Sequence, residues 1–280
     1  MMELCNISTI KMILEHHGLK MQKSLGQNFL INPDVPYKIA ASVENADTVL
    51  EVGPGIGCLT KELCEVAPCV IAIELDRGLI PVLGETLAEY GNVTVINDDV
   101  LKVDLHALLA DKGRVAVCAN LPYYITTPIL MYLIESGLNL SGITVMVQNE
   151  VAQRLASKPG SAEYGAVTVA VAAYGTVKKI LHVPAGNFYP APKVDSAVIQ
   201  ITPHETPLCT PKSAENFRGV VRAAFAQRRK KLSNAISSAY PAIPKERIAQ
   251  SIEKLGLSPD VRGERLSCKE FSDLSDLLFD

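Results

Sequence analysis

The chain has 280 residues, of which 48% are hydrophobic, and its formal net charge is -3 at pH 7. This length can bury one full core and still supply a small second domain. The weakly acidic charge excludes a protein that coats nucleic acid non-specifically, and the lack of an apolar run of roughly 18 residues or of a signal-peptide pattern predicts a cytoplasmic protein with no membrane span.

Two short helices are predicted before the main sheet. Ser8 is placed to cap the first helix, which Gly18 ends, and Asn32-Pro33 is typical of a cap followed by the first-turn proline of a second helix. We expect this helical extension, residues 1–45, to lie over one edge of the sheet.

The central part of the chain, from Val49 to about Thr202, alternates short β-rich apolar runs with longer amphipathic stretches. This alternation indicates an α/β fold, with a parallel sheet that carries helices on both faces. The run Ala166–Ala173 fits a helix or a strand equally well. Seven strands are predicted, at Thr48–Val52, Cys69–Leu75, Asn92–Ile96, Arg114–Ala119, Gly142–Val147, Val177–His182 and Ser196–Ile201.

A proline-rich linker follows the last strand, and beyond it the chain shows helical patterns without a β-run. The linker prolines are Pro203, Pro207 and Pro211. The predicted domains are therefore an α/β domain over residues 1–205 and a small all-helical domain over residues 206–280.

A glycine-rich loop follows the first predicted strand and has the sequence EVGPGIG at residues 51–57. Glycines such as Gly53 and Gly55 allow the backbone to turn sharply and to approach a ligand closely. Glu74 lies 21 residues after Gly53, at the end of the second strand, where its carboxylate can accept hydrogen bonds from both ribose hydroxyls. Together they predict a nucleoside-cofactor site, whereas the loop alone could simply tighten a turn.

Nicotinamide and S-adenosylmethionine sites share this geometry, and the tetrapeptide Asn120-Leu121-Pro122-Tyr123 favours the second. The exocyclic nitrogen of adenine is a poor nucleophile, and an enzyme can activate it by accepting its two N–H bonds. The Asn120 side chain offers one acceptor and the Leu121 carbonyl, held by the rigid Pro122, offers the other, while Tyr123 can stack on a flipped base. The alternative is a simple turn with an Asn side chain bonded to backbone.

Two further residues support a methyltransferase site. Asp99 follows the third strand, where it can accept a hydrogen bond from the cofactor's adenine amine or can cap a helix. Phe188 opens a proline-braced loop, FYPAPKVDS, and can contact the opposite face of the base or pack in the core.

A basic segment lies in the predicted helical domain, where residues 216–245 include no Asp or Glu. Arg218 and Arg222 have the i, i+4 spacing of one helix face, and a run of four cations follows them. This local positive charge suits rRNA phosphate, although a solvated surface is the alternative. The residues assigned to RNA binding are Arg218, Arg222, Arg228, Arg229, Lys230 and Lys231.

With these motifs assembled, the chain resembles the small-subunit rRNA adenine N6,N6-dimethyltransferase family from about residue 23 to at least residue 234. The matching segments are KSLGQNFL (23–30), EVGPGIG (51–57), IELD (73–76), NLPYYI (120–125), FYPAPKVDSAV (188–198) and QRRKKLSN (227–234). The resemblance implies a seven-stranded, Rossmann-like class I methyltransferase sheet with a small C-terminal all-helical domain. It also implies the transfer of two methyl groups from S-adenosylmethionine to each of two adjacent adenines near the 3′ end of 16S rRNA.

The resemblance also assigns roles to single residues. Asn28 and Leu30 contact the methionine end of the cofactor, and Gly53 contacts the cofactor through the backbone of the glycine-rich loop. Glu74 binds the ribose and Asp99 the adenine. Asn120 lies between the cofactor and the target amine. The implied partner is a precursor of the small ribosomal subunit, and we expect a monomer that needs no metal. Tyr124 and Tyr189 depart from the pattern beside the substrate base.

Three other functions remain as alternatives. A sister family methylates an adenine of large-subunit rRNA, but we expect a more basic chain there, without QRRKKLSN. A non-catalytic ribosome-assembly or transcription factor could keep the fold, yet Glu74, Asn120 and Tyr123 are all present. A dehydrogenase would not need the tetrapeptide. The seven scattered cysteines show no disulfide or zinc spacing, so reduced structural thiols are expected.

Overall fold

The computed structural model describes residues 3–22, 25–43 and 45–280. Lys23 and Ser24, which begin the first of the matching segments, lie outside the described residues. The chain divides into two compact units. The first consists of residues 1–152 and 178–203, and the second of residues 153–177 and 204–280. None of the described helices is long and apolar enough to cross a membrane.

A seven-stranded sheet forms the centre of the first unit, with the strand order β4-β3-β2-β5-β6-β9-β7. Every residue of β2 is buried, as expected for a strand covered on both faces. The seven predicted strands are all present and their bounds differ by only a few residues. The strands of this sheet are β2 (Thr48–Val52), β3 (Cys69–Glu74), β4 (Val93–Asn97), β5 (Val115–Asn120), β6 (Leu140–Gln148), β7 (Gly175–Val183) and β9 (Ser196–Pro203).

The structure differs from the prediction in the direction of one strand and in the presence of two additional short strands. β9 pairs antiparallel with β6, so the sheet is mixed rather than parallel. Apolar periodicity marks a strand but says nothing about its direction. Two further strands, β1 (Phe29–Leu30) and β8 (Phe188–Tyr189), form a separate antiparallel pair and are too short to show a periodic pattern.

Seven α-helices begin in the described residues of the first unit. Asn6 caps α1, because its Oδ1 accepts the backbone N–H groups of Ser8 (2.9 Å) and Thr9 (3.5 Å), so the prediction that Ser8 is the cap was wrong. Asn32 Oδ1 accepts the Asp34 N–H at 3.0 Å just before α2, but Pro33 occupies the N-cap position, so the prediction of Asn32 as cap and Pro33 as first-turn residue was wrong by one position. These helices are α1 (Ile7–His16), α2 (Asp34–Ala40), α3 (Cys58–Val66), α4 (Leu79–Thr86), α5 (Leu105–Leu109), α6 (Thr126–Glu135) and α7 (Asn149–Leu155).

The second unit is helical and is assembled from two stretches of chain. Tyr164 is buried among Phe217, Phe271 and other apolar side chains of the C-terminal part, and its hydroxyl donates to the Leu266 carbonyl at 2.8 Å. Residues 153–177 therefore cluster with the C-terminal helices. The sequence predicted a single boundary near residue 205, with these residues in the α/β domain. The helices here are α8 (Ala166–Tyr174), α9 (Ala214–Ala226), α10 (Leu232–Ala239), α11 (Lys245–Lys254) and α12 (Cys268–Phe279).

Candidate active site

The glycine loop forms a sharp turn between β2 and α3. Gly53 and Gly55 have φ angles of 71° and 63°, which favour glycine over residues with a side chain. The Gly53 N–H donates to the Ile73 carbonyl at 2.9 Å, which fixes the start of the loop on β3. A Cβ atom on Gly55 would lie 3.4 Å from the Phe29 ring. The loop therefore brings bare backbone to the wall of a cleft.

Glu74 ends β3 and is only 6% exposed. One carboxylate oxygen accepts the Gly55 N–H at 3.0 Å, and the other accepts the Asp76 N–H at 2.8 Å. Burial raises the pKa of Glu74, and these two N–H groups act in the opposite direction. Because each oxygen can accept a second hydrogen bond, the carboxylate can bind a pair of hydroxyls while it holds the glycine loop in place.

One cleft of about 1090 Å³, open to solvent, brings together the residues predicted to bind the cofactor. Its wall is largely apolar, and the polar groups are spread along it, as in sites that bind a nucleoside. The cleft-lining residues that the sequence analysis named are Asn28, Leu30, Gly53, Gly55, Glu74, Asp99, Asn120, Leu121, Pro122 and Tyr123.

Asn120 is the last residue of β5 and lies at the cleft wall. Its Nδ2 donates to the backbone carbonyl of Asn28 at 3.4 Å, so this hydrogen bond does not use Oδ1. The Pro122 carbonyl accepts from both the Ile125 N–H and the Thr126 hydroxyl at the start of α6. Pro122 is thus held by the helix, and the tetrapeptide forms a fixed connection between strand and helix.

Tyr123 and Tyr124 both line the cleft but differ in how they are held. The Tyr123 hydroxyl lies 2.6 Å from Oγ of Ser196, which is fully buried at the start of β9. Burial raises the pKa of the Tyr123 hydroxyl, which therefore stays protonated at neutral pH. Tyr124 is 56% exposed. The cleft thus has one aromatic side chain anchored by a hydrogen bond and one that is largely exposed to solvent.

Phe188 does not lie in the cleft, where it would have to be to contact the target base. Its side chain is 2% exposed and packs with Leu30, Val183 and Val198 in the core. It is not among the cleft-lining residues, so in this structure the alternative of core packing applies. The reason is the pairing of β8 with β1, which sets Phe188 opposite Leu30.

Asp99 lies at the cleft but does not cap a helix, because Asp104 is the N-cap of the following helix, α5. It lines the cleft, and its Oδ1 also accepts the Leu101 N–H at 3.1 Å. Its Oδ2 lies 3.6 Å from the Lys102 ammonium group. The local turn therefore fixes the carboxylate at the end of the cleft beyond β4.

Glu51 is a cleft residue to which the sequence analysis gave no role. It is 1% exposed, and its Oε2 has no hydrogen-bond partner among the described residues. Burial raises the pKa of Glu51 to about 8, and the neighbouring Thr60 hydroxyl offsets this only in part. An acidic residue inside an otherwise apolar strand was the available signal. An orphaned buried oxygen at the wall indicates that the cleft is built for a ligand that carries hydrogen-bond donors.

Comparison with known proteins identifies the family. The sequence profile of the ribosomal RNA adenine dimethylase family matches residues 18–279. The chain belongs to this family. Ribosomal RNA small subunit methyltransferase A from Bacillus cereus (strain AH187) is 44% identical over 286 residues, which cover 99% of this chain and 98% of the relative. The same values hold for the protein of that name from Bacillus anthracis (strain CDC 684 / NRRL 3495).

Two solved structures extend this likeness to the fold. A dimethyladenosine transferase from Plasmodium falciparum is 27% identical, with a TM-score of 0.76 over 88% of this chain and 95% of that one. The 23S rRNA methyltransferase ErmE is 25% identical, with a TM-score of 0.67 over 90% of this chain and all of that one. Family membership confirms the predicted fold class, the S-adenosylmethionine cofactor and the rRNA adenine methyltransferase activity. The alternative interpretation as a dehydrogenase is therefore wrong.

The basic segment of this family member is partly neutralised. Arg228 lies 3.4 Å from Glu264 and donates to the Ala162 carbonyl, and Lys231 pairs with Asp260. Residues 216–245 contain no acid, but two acids from a later stretch of chain neutralise part of the predicted local positive charge. All seven cysteines are free thiols, as predicted.

The other four cations are placed differently. Arg218 and Arg222 lie on α9, one turn apart, as predicted. Arg229 and Lys230 are exposed in the connection between α9 and α10, and no ion pair is found for them in the part of the chain that the structure describes. Fewer cations of the basic segment are therefore available to bind phosphate than the sequence suggests, because Arg228 and Lys231 are paired with acids.

Proposed function

We propose that this protein methylates the N6 amines of two adjacent adenines near the 3′ end of 16S rRNA, and that it adds two methyl groups to each. Its substrate would be a precursor of the small ribosomal subunit in the cytoplasm. The support for the small subunit is the near full-length similarity to proteins named ribosomal RNA small subunit methyltransferase A. The protein would act as a monomer.

The observation that carries the chemistry is the position of Asn120 in the same cleft as Glu74 and the glycine loop. We assign the ribose to Glu74, the adenine of the cofactor to Asp99, and the methionine end to Asn28 and Leu30. The bound cofactor supplies a methyl group on a sulfonium, and its leaving group departs uncharged. Residues at the methionine end of the cleft therefore face the target amine.

Asn120 and Leu121 would bind the target amine. The hydrogen bond to Asn28 directs the Asn120 NH2 group away, which leaves Oδ1 to accept one N–H of the adenine amine. The Leu121 carbonyl would accept the other, because the neighbouring Pro122 carbonyl is already used by α6. Two acceptors favour a pyramidal nitrogen and point its lone pair at the methyl group. Tyr123, anchored on Ser196, would stack on the base.

The decisive experiment combines purified ribosomal subunits with the protein and labelled S-adenosylmethionine. Small subunits from cells that lack the protein should become dimethylated at the two adjacent adenines, as read by mass spectrometry of rRNA digests. Large subunits should remain unlabelled. Labelling of large-subunit adenine alone would favour the activity named for ErmE and would refute the small-subunit assignment.

The Asn120→Ala variant tests the chemistry in the same assay. We expect single-turnover methylation to slow about 100-fold or more while particle binding changes little, because the lost contact orients the amine for transfer. Asn139→Ala, outside the cleft, is the matched control. A normal single-turnover rate in Asn120→Ala would remove the role assigned to the tetrapeptide.

A further inference from the structure

Three potential metal ligands meet at a surface site that belongs neither to the cleft nor to the basic segment. His16 ends α1, His17 is its C-cap, and Glu85 lies near the end of α4. One donor atom from each lies within 4.8 Å of the other two. His17 Nε2 and Glu85 Oε2 are 2.9 Å apart, and the two imidazole rings are nearly perpendicular, with centroids 5.1 Å apart.

We propose that His16, His17 and Glu85 form a binding site for a divalent transition metal such as Zn²⁺. Two imidazoles and one carboxylate are borderline ligands that suit zinc. Tetrahedral coordination with bonds of about 2.0–2.1 Å separates the donor atoms by about 3.4 Å. The observed separations, from 2.9 Å to at most 4.8 Å, bracket that value, so small side-chain rotations complete the site. Solvent would fill the fourth position.

The end of α1 favours a cation at this place. The carbonyl groups of the last helical turn give the C-terminus of a helix a partial negative charge, which attracts positive charge. His16 and His17 lie at that end of α1, and Glu85 adds a full negative charge from α4. A divalent ion would therefore be stabilised by the partial negative charge of the helix end as well as by its three ligands.

Apolar packing already holds the two helices that supply these ligands. Ile10 and Ile13 of α1 are buried in one cluster with Leu79 and Val82 of α4, and the same cluster contains Phe29, which contacts the glycine loop. The donors are therefore brought close by the fold, and little ordering is left for the metal to impose. A bound metal would fix the C-terminal end of α1 to α4, whose first residue, Leu79, lines the cleft.

Titration with metal ions alone tests the site on the full chain. We expect one equivalent of Zn²⁺ to bind by calorimetry and to raise the melting temperature. His16→Asn or His17→Asn should weaken binding about tenfold or more, since even changes to groups that only support metal ligands cost 10–100-fold. His106→Asn, an exposed histidine whose ring bonds to the Ser136 carbonyl, is the matched control and should bind like the parent.

Cobalt(II) separates this site from the cysteines. Binding at His16, His17 and Glu85 should give visible d–d absorption without a thiolate-to-cobalt charge-transfer band, and the signal should be lost in Glu85→Gln. The three side chains are exposed or half-buried, so circular dichroism should show that the variants remain folded. A charge-transfer band that persists in the histidine variants, or no stoichiometric binding by the parent, would overturn the proposal.

Discussion

Replacement of Glu51 by Gln should stabilise the cofactor-free protein, and increasingly so as pH rises. Folding raises the pKa of the buried Glu51 carboxyl from 4.5 to about 8. Below the lower value both the folded and the unfolded chain carry a proton here. Between the two values the unfolded chain ionises while the folded chain stays protonated, so unfolding releases a proton and the free energy of unfolding falls with rising pH.

The size of this effect follows from the pKa displacement. A change from 4.5 to about 8 corresponds to roughly 5 kcal/mol between the two protonation states. The penalty grows from zero near pH 4.5, reaches roughly 3 kcal/mol at pH 7 and levels off above pH 8. Gln has nearly the shape of the protonated carboxyl but does not titrate, so Glu51→Gln escapes this penalty.

Chemical denaturation at several pH values provides the assay. The difference in unfolding free energy between Glu51→Gln and the parent should be near zero at pH 4.5 and about 3–5 kcal/mol in favour of the variant at pH 8. Glu89→Gln, at an exposed position, should follow the parent throughout. A difference between Glu51→Gln and parent that is constant with pH would refute the argument, because titration of Glu51 would then not contribute.

Three further substitutions test the cleft and the basic segment. Glu74→Gln keeps the side-chain shape but removes one acceptor, so S-adenosylmethionine affinity should weaken by about 1.5–3 kcal/mol in calorimetric titration. Ser196→Ala leaves the Tyr123 hydroxyl without its partner, which should lower the free energy of unfolding by about 1–3 kcal/mol and raise KM for small subunits more than it lowers kcat. Joint replacement of Arg229 and Lys230 by Ala should reduce the salt slope of subunit binding by about two units, with cofactor affinity unchanged.

Each of these expectations has an outcome that contradicts it. Unchanged cofactor affinity in a folded Glu74→Gln protein would remove the carboxylate from the ribose site. Parental KM and stability in Ser196→Ala would show that the Tyr123 ring is fixed by packing alone. Equal salt slopes for the basic-segment variant and the parent, over one range of ionic strength, would show that Arg229 and Lys230 are solvated surface.

Local patterns made much of the fold and the cleft predictable. The seven strands of the main sheet are short β-rich runs that alternate with amphipathic stretches, and central strands such as β2 and β5 are largely apolar and buried, which is the pattern that marks strands in a sequence. Gly53, Gly55 and Glu74 are recognisable because a turn with positive φ and a carboxylate at the end of the next strand follow from chain order alone. Asn120 could be found for the same reason, since its strand and its proline are adjacent in sequence.

Long-range partners were beyond the reach of such patterns. Arg228 pairs with Glu264, 36 residues away, and no local feature of the basic run predicts that contact. The burial of Phe188 depends on its pairing with Leu30, across more than half of the chain. Residues 153–177 join the helical unit through Tyr164, whose partner Leu266 is 102 residues further on. Each of these features is decided by tertiary contacts that periodicity does not encode.

The segment of Asn28 to Leu30 lines the cleft and is bonded both to Asn120 and to the proline-braced loop. Its backbone accepts a hydrogen bond from Asn120, and Leu30 pairs with Phe188 of the proline-braced loop. The next residue, Ile31, donates its N–H to the Asn187 carbonyl at 2.9 Å, so the pairing continues beyond the two strands. Because these bonds join three segments that are distant in sequence, we expect any shift of this segment to be felt at the side-chain amide of Asn120. We therefore expect cofactor binding and alignment of the target amine to be coupled through the hydrogen bond between the Asn120 side chain and the Asn28 backbone.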